Sequence, residues 1–301
     1  MREFKCPTAI IWGYGNTYNL NLNLVKYQEI QNNLKVIGIT GKDIYHQTID
    51  GYSCVHISDL PLIEFDYLII SAQGYFDEIC ETAMKIGIDQ SKFINVQVFS
   101  IPNFNFVNYV RLVESHVSII ANNCWGGGVY HLLKMQFQSP FINMFVRDRD
   151  YIKLLKDIKL LCRKKIEFVE WNYSVELKRQ FPVYRLDDII LHFNHYISRE
   201  EVEFKWYERI NRINWNNLFV MMFTEDISIA RQFDELDFEK KICFVPFNCN
   251  LKSTHTLKKP NADINFWEVV NGVPWNRLVD YNVIDLLCGI GEKYDRLYFS
   301  E

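Results

Sequence analysis

The sequence predicts an α/β protein of two domains, an N-terminal Rossmann-like parallel sheet followed by a second α/β sheet domain. Three observations predict it. Short apolar runs rich in β-branched residues alternate with longer stretches of helical periodicity. The turns after the first run of each half carry glycines, at Gly13 and Gly15 and at Gly126, Gly127 and Gly128. The length, 301 residues, matches about two domains. A break near Pro102 divides the chain into residues 1–103 and 104–301.

Residues 8–12 form a continuous apolar run, as in a strand covered on both faces. Gly13-Tyr-Gly15 follows, then a helical stretch to Ile30. Residues 35–40, 66–71 and 92–98 read as three further strands, and residues 75–86 as a helix after Gly74. Strands alternating with helices imply right-handed crossovers and a parallel sheet. Gly13 and Gly15 occupy the turn where the Rossmann pattern binds a dinucleotide, and are the candidate cofactor-binding residues. The fingerprint is incomplete. Tyr18 stands at the third glycine position, and the second strand ends in Thr40-Gly41, with Asp43 the nearest carboxylate. No cofactor is assigned on so short a motif.

In the second half, residues 106–114 give a helical lead-in. Val117 to Ala121 is a buried strand, Asn122, Asn123, Cys124 and Trp125 a turn with the three glycines, and an apolar periodic run starts at Val129. Glycines let backbone N–H groups turn outward, and a helix start aims unpaired donors at the same spot. This turn is therefore the candidate site for an anion or an acyl oxygen, comprising Asn122, Asn123, Trp125, Gly126, Gly127 and Gly128. Cys124 beside it is the candidate nucleophile, because a helix amino end lowers a thiol pKa.

Residues 139–146 read as a strand and 151–163 as an amphipathic helix. Between them, Asp148 and Asp150 have the spacing of carboxylates that share a divalent cation. Asp150 also suits the cap of the helix that follows, and no metal site is assigned. Residues 167–171 and 188–195 read as strands. Ser198 and Glu201 form a capping box for a helix running to Ile213. His195, at the carboxyl end of its strand, is the candidate general base. Lys205, Arg209 and Arg212 fall on one helix face and could grip a phosphate, although Glu201 and Glu208 stand four residues before two of them. Asn143 joins Asn122 and Asn123 as a hydrogen-bonding partner for sugar hydroxyls. Residues 217–223 and 241–246 complete the strands.

Two stretches carry a resemblance. Ile11-Trp-Gly-Tyr-Gly15, Val36-Ile-Gly-Ile39 and Asp66-Tyr-Leu-Ile-Ile70 resemble the small Rossmann-like domains of bacterial sugar-modifying and surface-polysaccharide enzymes. Asn122-Asn-Cys-Trp-Gly-Gly127, Ser139-Pro-Phe-Ile-Asn143, His192-Phe-Asn-His-Tyr196 and the cluster from Lys205 to Asn214 resemble a bacterial domain-of-unknown-function family over residues 105–290. Its members are labelled exopolysaccharide or lipopolysaccharide biosynthesis proteins, and polysaccharide biosynthesis is what the resemblance implies.

Composition bounds the function. A net charge of −4 argues against nucleic-acid binding by phosphate neutralisation. No stretch reaches the roughly 18 apolar residues of a membrane span, and no signal-peptide core opens the chain, so a cytoplasmic location is expected. The eight cysteines include no Cys-x-x-Cys pair and read as reduced core residues. The resulting expectation is a transferase acting on a nucleotide-sugar or acyl donor. The alternatives are a non-catalytic nucleotide- or sugar-binding regulator and a nicotinamide-dependent oxidoreductase. Oligomeric state is not specified by the sequence.

Overall fold

The computed structural model describes residues 6–42, 44–259, 263–272 and 281–289. Asp43 therefore lies outside the described residues. The chain divides into two compact units, Met1–Arg111 and Leu112–Glu301. The mixed α/β class expected from strand–helix alternation is the one observed.

In the first unit, β1 (Thr8–Trp12), β2 (Lys35–Thr40), β5 (Tyr67–Ile70) and β6 (Phe93–Asn95) form a parallel sheet in the order β2-β1-β5-β6. A small antiparallel hairpin, β3 (Thr48–Ile49) with β4 (Tyr52–Ser53), lies between β2 and β5 in sequence. Helix α1 (Asn16–Ile30) links β1 to β2, and α2 (Phe76–Lys85) links β5 to β6. Strand alternation sorts the core. Ile10, Trp12, Leu68 and Ile70 pack with Ala83 of α2 on one face. The opposite face meets α1. Tyr18, at the third glycine position of the fingerprint, is buried and donates its hydroxyl to Asp50 Oδ2 at 2.9 Å. The fourth strand is shorter than expected, because residues 96–100 coil into a 3₁₀ turn.

Helix α3 (Phe106–Glu114) leads to the second unit, which holds two sheets. One is parallel, in the order β14-β13-β12-β7, from β7 (Ser118–Ala121), β12 (Leu218–Phe223), β13 (Lys240–Val245) and β14 (Thr254–Thr256). The other is antiparallel, in the order β8-β11-β10-β9, from β8 (Phe145–Val146), β9 (Glu167–Ser174), β10 (Arg179–Leu186) and β11 (Ile189–His192). This second sheet corrects the sequence reading, in which residues 179–186 are unassigned and residues 188–195 form one strand of a single second sheet. β10 and β11 instead make a hairpin turned at Asp187, whose φ of +59° fits a tight turn.

Helix α4 (Trp125–Leu132) follows β7. Helices α5 (Asp148–Lys156), α6 (Ile158–Leu161) and α7 (Arg199–Ile210) flank the antiparallel strands, and α8 (Ile227–Asp234) joins β12 to β13. Helices α9 (Phe266–Gly272) and α10 (Val283–Cys288) close the described chain. Ile120, Val220, Met222, Cys243 and Val245 face a core shared with α5, α7 and α8. Phe219 and Phe244, on the opposite parity, meet Trp125 and Tyr281. The sheet is thus covered on both faces, as its unbroken apolar strands require. A parallel pair needs a crossover. The one from β7 to β12 contains the whole antiparallel sheet, and this insertion builds a wall over the carboxyl ends of the parallel strands.

Candidate functional site

The cavity of interest lies where β7 and β12 end. It has a volume of about 640 Å³, within the range of small-molecule sites. Its floor is Asn122, Asn123 and Phe223; one side is Arg147 and Asp148 at the start of α5. The facing wall comes from the antiparallel sheet: Phe145, Phe181, Asn172, Tyr173 and Asn194, with Glu176 on the β9–β10 hairpin.

Asn122 organises the floor. Its side chain extends the β-ladder beyond the end of β7. Oδ1 accepts the Phe223 N–H at 3.1 Å, and Nδ2 donates to the Phe223 carbonyl at 3.0 Å. The Asn122 carbonyl accepts the Val146 N–H at 3.0 Å, which ties β8 to the parallel sheet. Asn123 donates to Asn122 Oδ1 at 3.1 Å, and its own Oδ1 accepts the Trp125 N–H at 2.9 Å, starting α4. Both asparagines are buried, so these bonds replace the water that the amides lose.

Asp148 is the chemically distinctive lining group. It is half-buried. The Thr224 hydroxyl donates to Oδ2, and Asn122 Nδ2 approaches Oδ1 at 3.4 Å. Burial raises its pKa above the ordinary value, opposed by the Thr224 bond and reinforced by the Asp226 charge. A carboxyl group tuned upward beside a cavity is suited to proton transfer. Asp150 serves elsewhere. Its Oδ2 accepts the Ile190 N–H of β11 at 3.1 Å, so the two carboxylates face different partners. The helix also starts earlier than expected, at Asp148, with Arg147 rather than Asp150 at the cap.

The expected glycine cradle is corrected. Trp125, Gly126, Gly127 and Gly128 form the first turns of α4, not a loop. The glycines bring this helix close to its neighbours. A Cβ at 127 would lie 2.7 Å from Asn143 Oδ1, and one at 126 would lie 3.1 Å from Ile119 Cγ2. Trp125 is core, stacked on Phe219 and bonded through Nε1 to the Tyr281 hydroxyl at 3.2 Å. None of these four residues lines the cavity.

Cys124 is corrected in the same way. Burial pushes its thiol up to about 12, against the lowering effect of a bond to Asn194. It is a neutral thiol near neutral pH and no activated nucleophile. His195 is exposed in the turn after β11, an antiparallel strand that ends at His192. Partial loss of hydration, then the Arg179 charge, lowers its pKa. It does not line the cavity. Asn143 is exposed in a turn with φ of +56°.

Helix α7 ends at Ile210, short of the expected Ile213, so Arg212 lies just past it, and the expected basic face is occupied by structural work. Lys205 is ion-paired with Glu201, and Arg212 with Glu208 at 2.6 Å. Arg209 is buried, donates to the Tyr196 hydroxyl at 2.8 Å and lies over the Phe137 ring. These cations are not brought to the cavity. In the first unit, Gly13 adopts φ of +107°, and its N–H donates to the Thr40 carbonyl at 2.8 Å. A Cβ there would approach Ser71 O at 3.0 Å, whereas Gly15 has open space around it.

Sequence reasoning missed the aromatic and amide wall of Phe145, Phe181, Asn172, Tyr173 and Asn194. Its one legible signal is the alternation of residues 167–174, in which Asn172 and Ser174 share a face with Phe181 and Arg179 of β10.

Fold and site together define a class: an α/β protein whose second unit carries a cavity at the carboxyl ends of parallel strands, the usual ligand position in open α/β sheets. The chain belongs to the family described as domain of unknown function DUF1919, whose model matches residues 95–287. Residues 7–94 match a second model, described as C2185-like, N-terminal. An uncharacterized protein of Haemophilus influenzae is 29% identical over 180 residues, covering 58% of this chain and 84% of the relative. No helix among the described residues is long and apolar enough to cross a membrane.

Proposed function

We propose that the second unit is a transferase that takes a nucleotide-activated sugar as donor, with the cavity at the ends of β7 and β12 as its active site. One observation carries this reading: Asp148, half-buried and raised in pKa, borders a cavity also lined by the amides of Asn122, Asn123, Asn172 and Asn194 and by Arg147. Asn172 and Asn194 suit sugar hydroxyls, which both donate and accept. Phe145, Phe181 and Tyr173 suit the apolar faces of a sugar ring or a base. Arg147 supplies a cation for the donor's phosphates. Surface-polysaccharide assembly is the setting suggested by the resemblance of residues 105–290 to proteins so labelled.

In this mechanism the Asp148 carboxylate takes the proton of an acceptor hydroxyl. The freed oxygen pair forms a bond to the anomeric carbon of the donor. The bond from that carbon to the phosphate oxygen breaks, and its electron pair leaves with the nucleotide. No cysteine adduct is involved. A mass-spectrometric product screen with uridine, guanosine and cytidine nucleotide sugars tests this. Turnover of at least one donor is expected, and Cys124→Ala and His195→Ala should keep it within about threefold of wild type, the effect expected away from reacting atoms. Loss of turnover in either variant, with melting temperature unchanged, would return the chemistry to those residues.

A non-catalytic binding module is the second reading. It draws on the bonds that Thr224 and Asn122 make to Asp148, which give that carboxyl group a structural use as well. Binding of a nucleotide sugar without product would favour it.

A further inference from the structure

We propose that the first unit binds a phosphoryl group at the amino end of α1, held by the first-turn amides of Asn16, Thr17 and Tyr18 and by the Ser71 hydroxyl. The sheet order β2-β1-β5-β6 places β1 between the strands reached in opposite directions along the chain. Such a reversal leaves a crevice at the carboxyl ends of the strands. Helix α1 opens there, three residues after β1, and it is 15 residues long. Gly15 at its cap supplies no side-chain acceptor, and its first turn has no acidic residue. The Asn19 N–H already bonds the Gly15 carbonyl at 3.1 Å, so the three amides before it are the unpaired donors of a helix start. They and the helix dipole favour a negative group.

Ser71 is the independent observation. It is 1% exposed, and its Oγ has no hydrogen-bond partner. Buried hydroxyls are rarely left so. Its direction follows from the pleat. On β5, Leu68 and Ile70 belong to the core on the α2 face. Tyr67 and Ile69, which share the parity of Ser71, point the other way. The Tyr67 ring meets Phe106 at 5.5 Å, and the Phe106 N–H donates to Gln28 of α1 at 3.0 Å. The chain just past Ser71 also touches the first turn of α1, since the Gln73 N–H reaches Thr17 Oγ1 at 3.5 Å. The hydroxyl is therefore aimed at the amino end of α1. Thr40 Oγ1 is buried and unpartnered too, but Thr40 pairs with Trp12 in register and belongs to the opposite face.

The same geometry excludes a dinucleotide across β1 and β2. The Tyr14 ring lies against Gly41, where a Cβ would meet Cε1 at 2.8 Å, and the Tyr14 hydroxyl donates to the Lys42 carbonyl at 2.7 Å. Thr40, Gly41 and Lys42 stand where a ribose diol would be met by a carboxylate. The ligand class is thus a phosphomonoester or free phosphate, which needs only the α1 end of the crevice.

Calorimetric titration of the full chain with inorganic phosphate, adenosine monophosphate and glucose 1-phosphate tests this and separates the sources. Gly15→Asp places a carboxylate on the first-turn amides, at a position with open space and a φ of −87°. It should raise the melting temperature as a better cap while abolishing phosphoryl binding. Ser71→Ala should weaken binding about tenfold, as expected for one lost bond to a charged group. Binding that survives Gly15→Asp or Ser71→Ala at wild-type strength overturns the proposal. So does failure of all three compounds to bind the wild type at about 10 mM, a few kcal/mol of affinity at most.

Discussion

Asp148 and Cys124, each at the start of its own helix, show how burial sorts two titratable residues. Both lose water, and both are raised in pKa. The carboxyl group keeps hydrogen-bond partners and borders the cavity, so it can still exchange a proton. The thiol, raised to about 12, is held neutral, and the helix-end argument that nominated it in the sequence is outweighed by desolvation. His192 is a third case. It is buried, stacked on Phe145 at 4.4 Å, and neither ring nitrogen has a partner. Burial first, then the Arg147 charge, lowers its pKa to about 4. The folded state therefore holds it neutral, while the unfolded chain takes up a proton below about 6.5. The associated stability is present above pH 6.5 and is lost as pH falls towards about 4, a change of at most about 3–4 kcal/mol. His255, lowered to about 4 by its own burial and by Lys258, acts in the same direction. Urea unfolding at pH 7 and pH 4.5 should show His192→Phe losing less stability than wild type, since the ring stack survives and the titrating group is gone. Equal losses in the two proteins would refute this assignment.

At the scale of elements, β7 is an edge strand of the parallel sheet, and α4 mends its start. The Tyr130 hydroxyl accepts the Ile119 N–H at 2.9 Å and donates to the Val117 carbonyl at 2.8 Å. Tyr130→Phe should leave both groups buried and unpaired, costing about 2–3 kcal/mol in chemical denaturation. A cost below about 0.5 kcal/mol, the range of an ordinary surface change, would show that the strand edge holds without it. The elements that sequence made legible are those with unbroken apolar runs, β1, β2, β5, β7, β12 and β13, because strands buried on both faces need such runs. The antiparallel sheet was less legible. β9 is exposed along most of its length, with Val169, Trp171 and Tyr173 at the surface, and β10 carries Pro182. The alternation of β9 marks no buried face, because its apolar residues are exposed, and β10 lacks clean alternation. The glycines of α4 misled for a related reason. Three in a row read as a loop, yet packing against Ile119, Ile142 and Asn143 requires the small size of Gly126 and Gly127 within a helix.

For the whole molecule, the site was legible only where a strand ends. Asn122 and Asn123 could be placed beside a ligand from the run that precedes them. The opposite wall could not, since it depends on an inserted sheet that returns over β7 and β12 from residues as distant as Asn194. This insertion creates the cavity, and the proposed chemistry rests on Asp148. The measurement closest to that claim is turnover by Asp148→Asn and wild type in the nucleotide-sugar product screen, with ligand-induced thermal shifts recorded on both. The variant should keep the shift of the donor that the wild type converts, while its rate falls by roughly 10²–10⁴, the usual contribution of a positioned proton-transfer group. Wild-type turnover in Asp148→Asn would contradict the account.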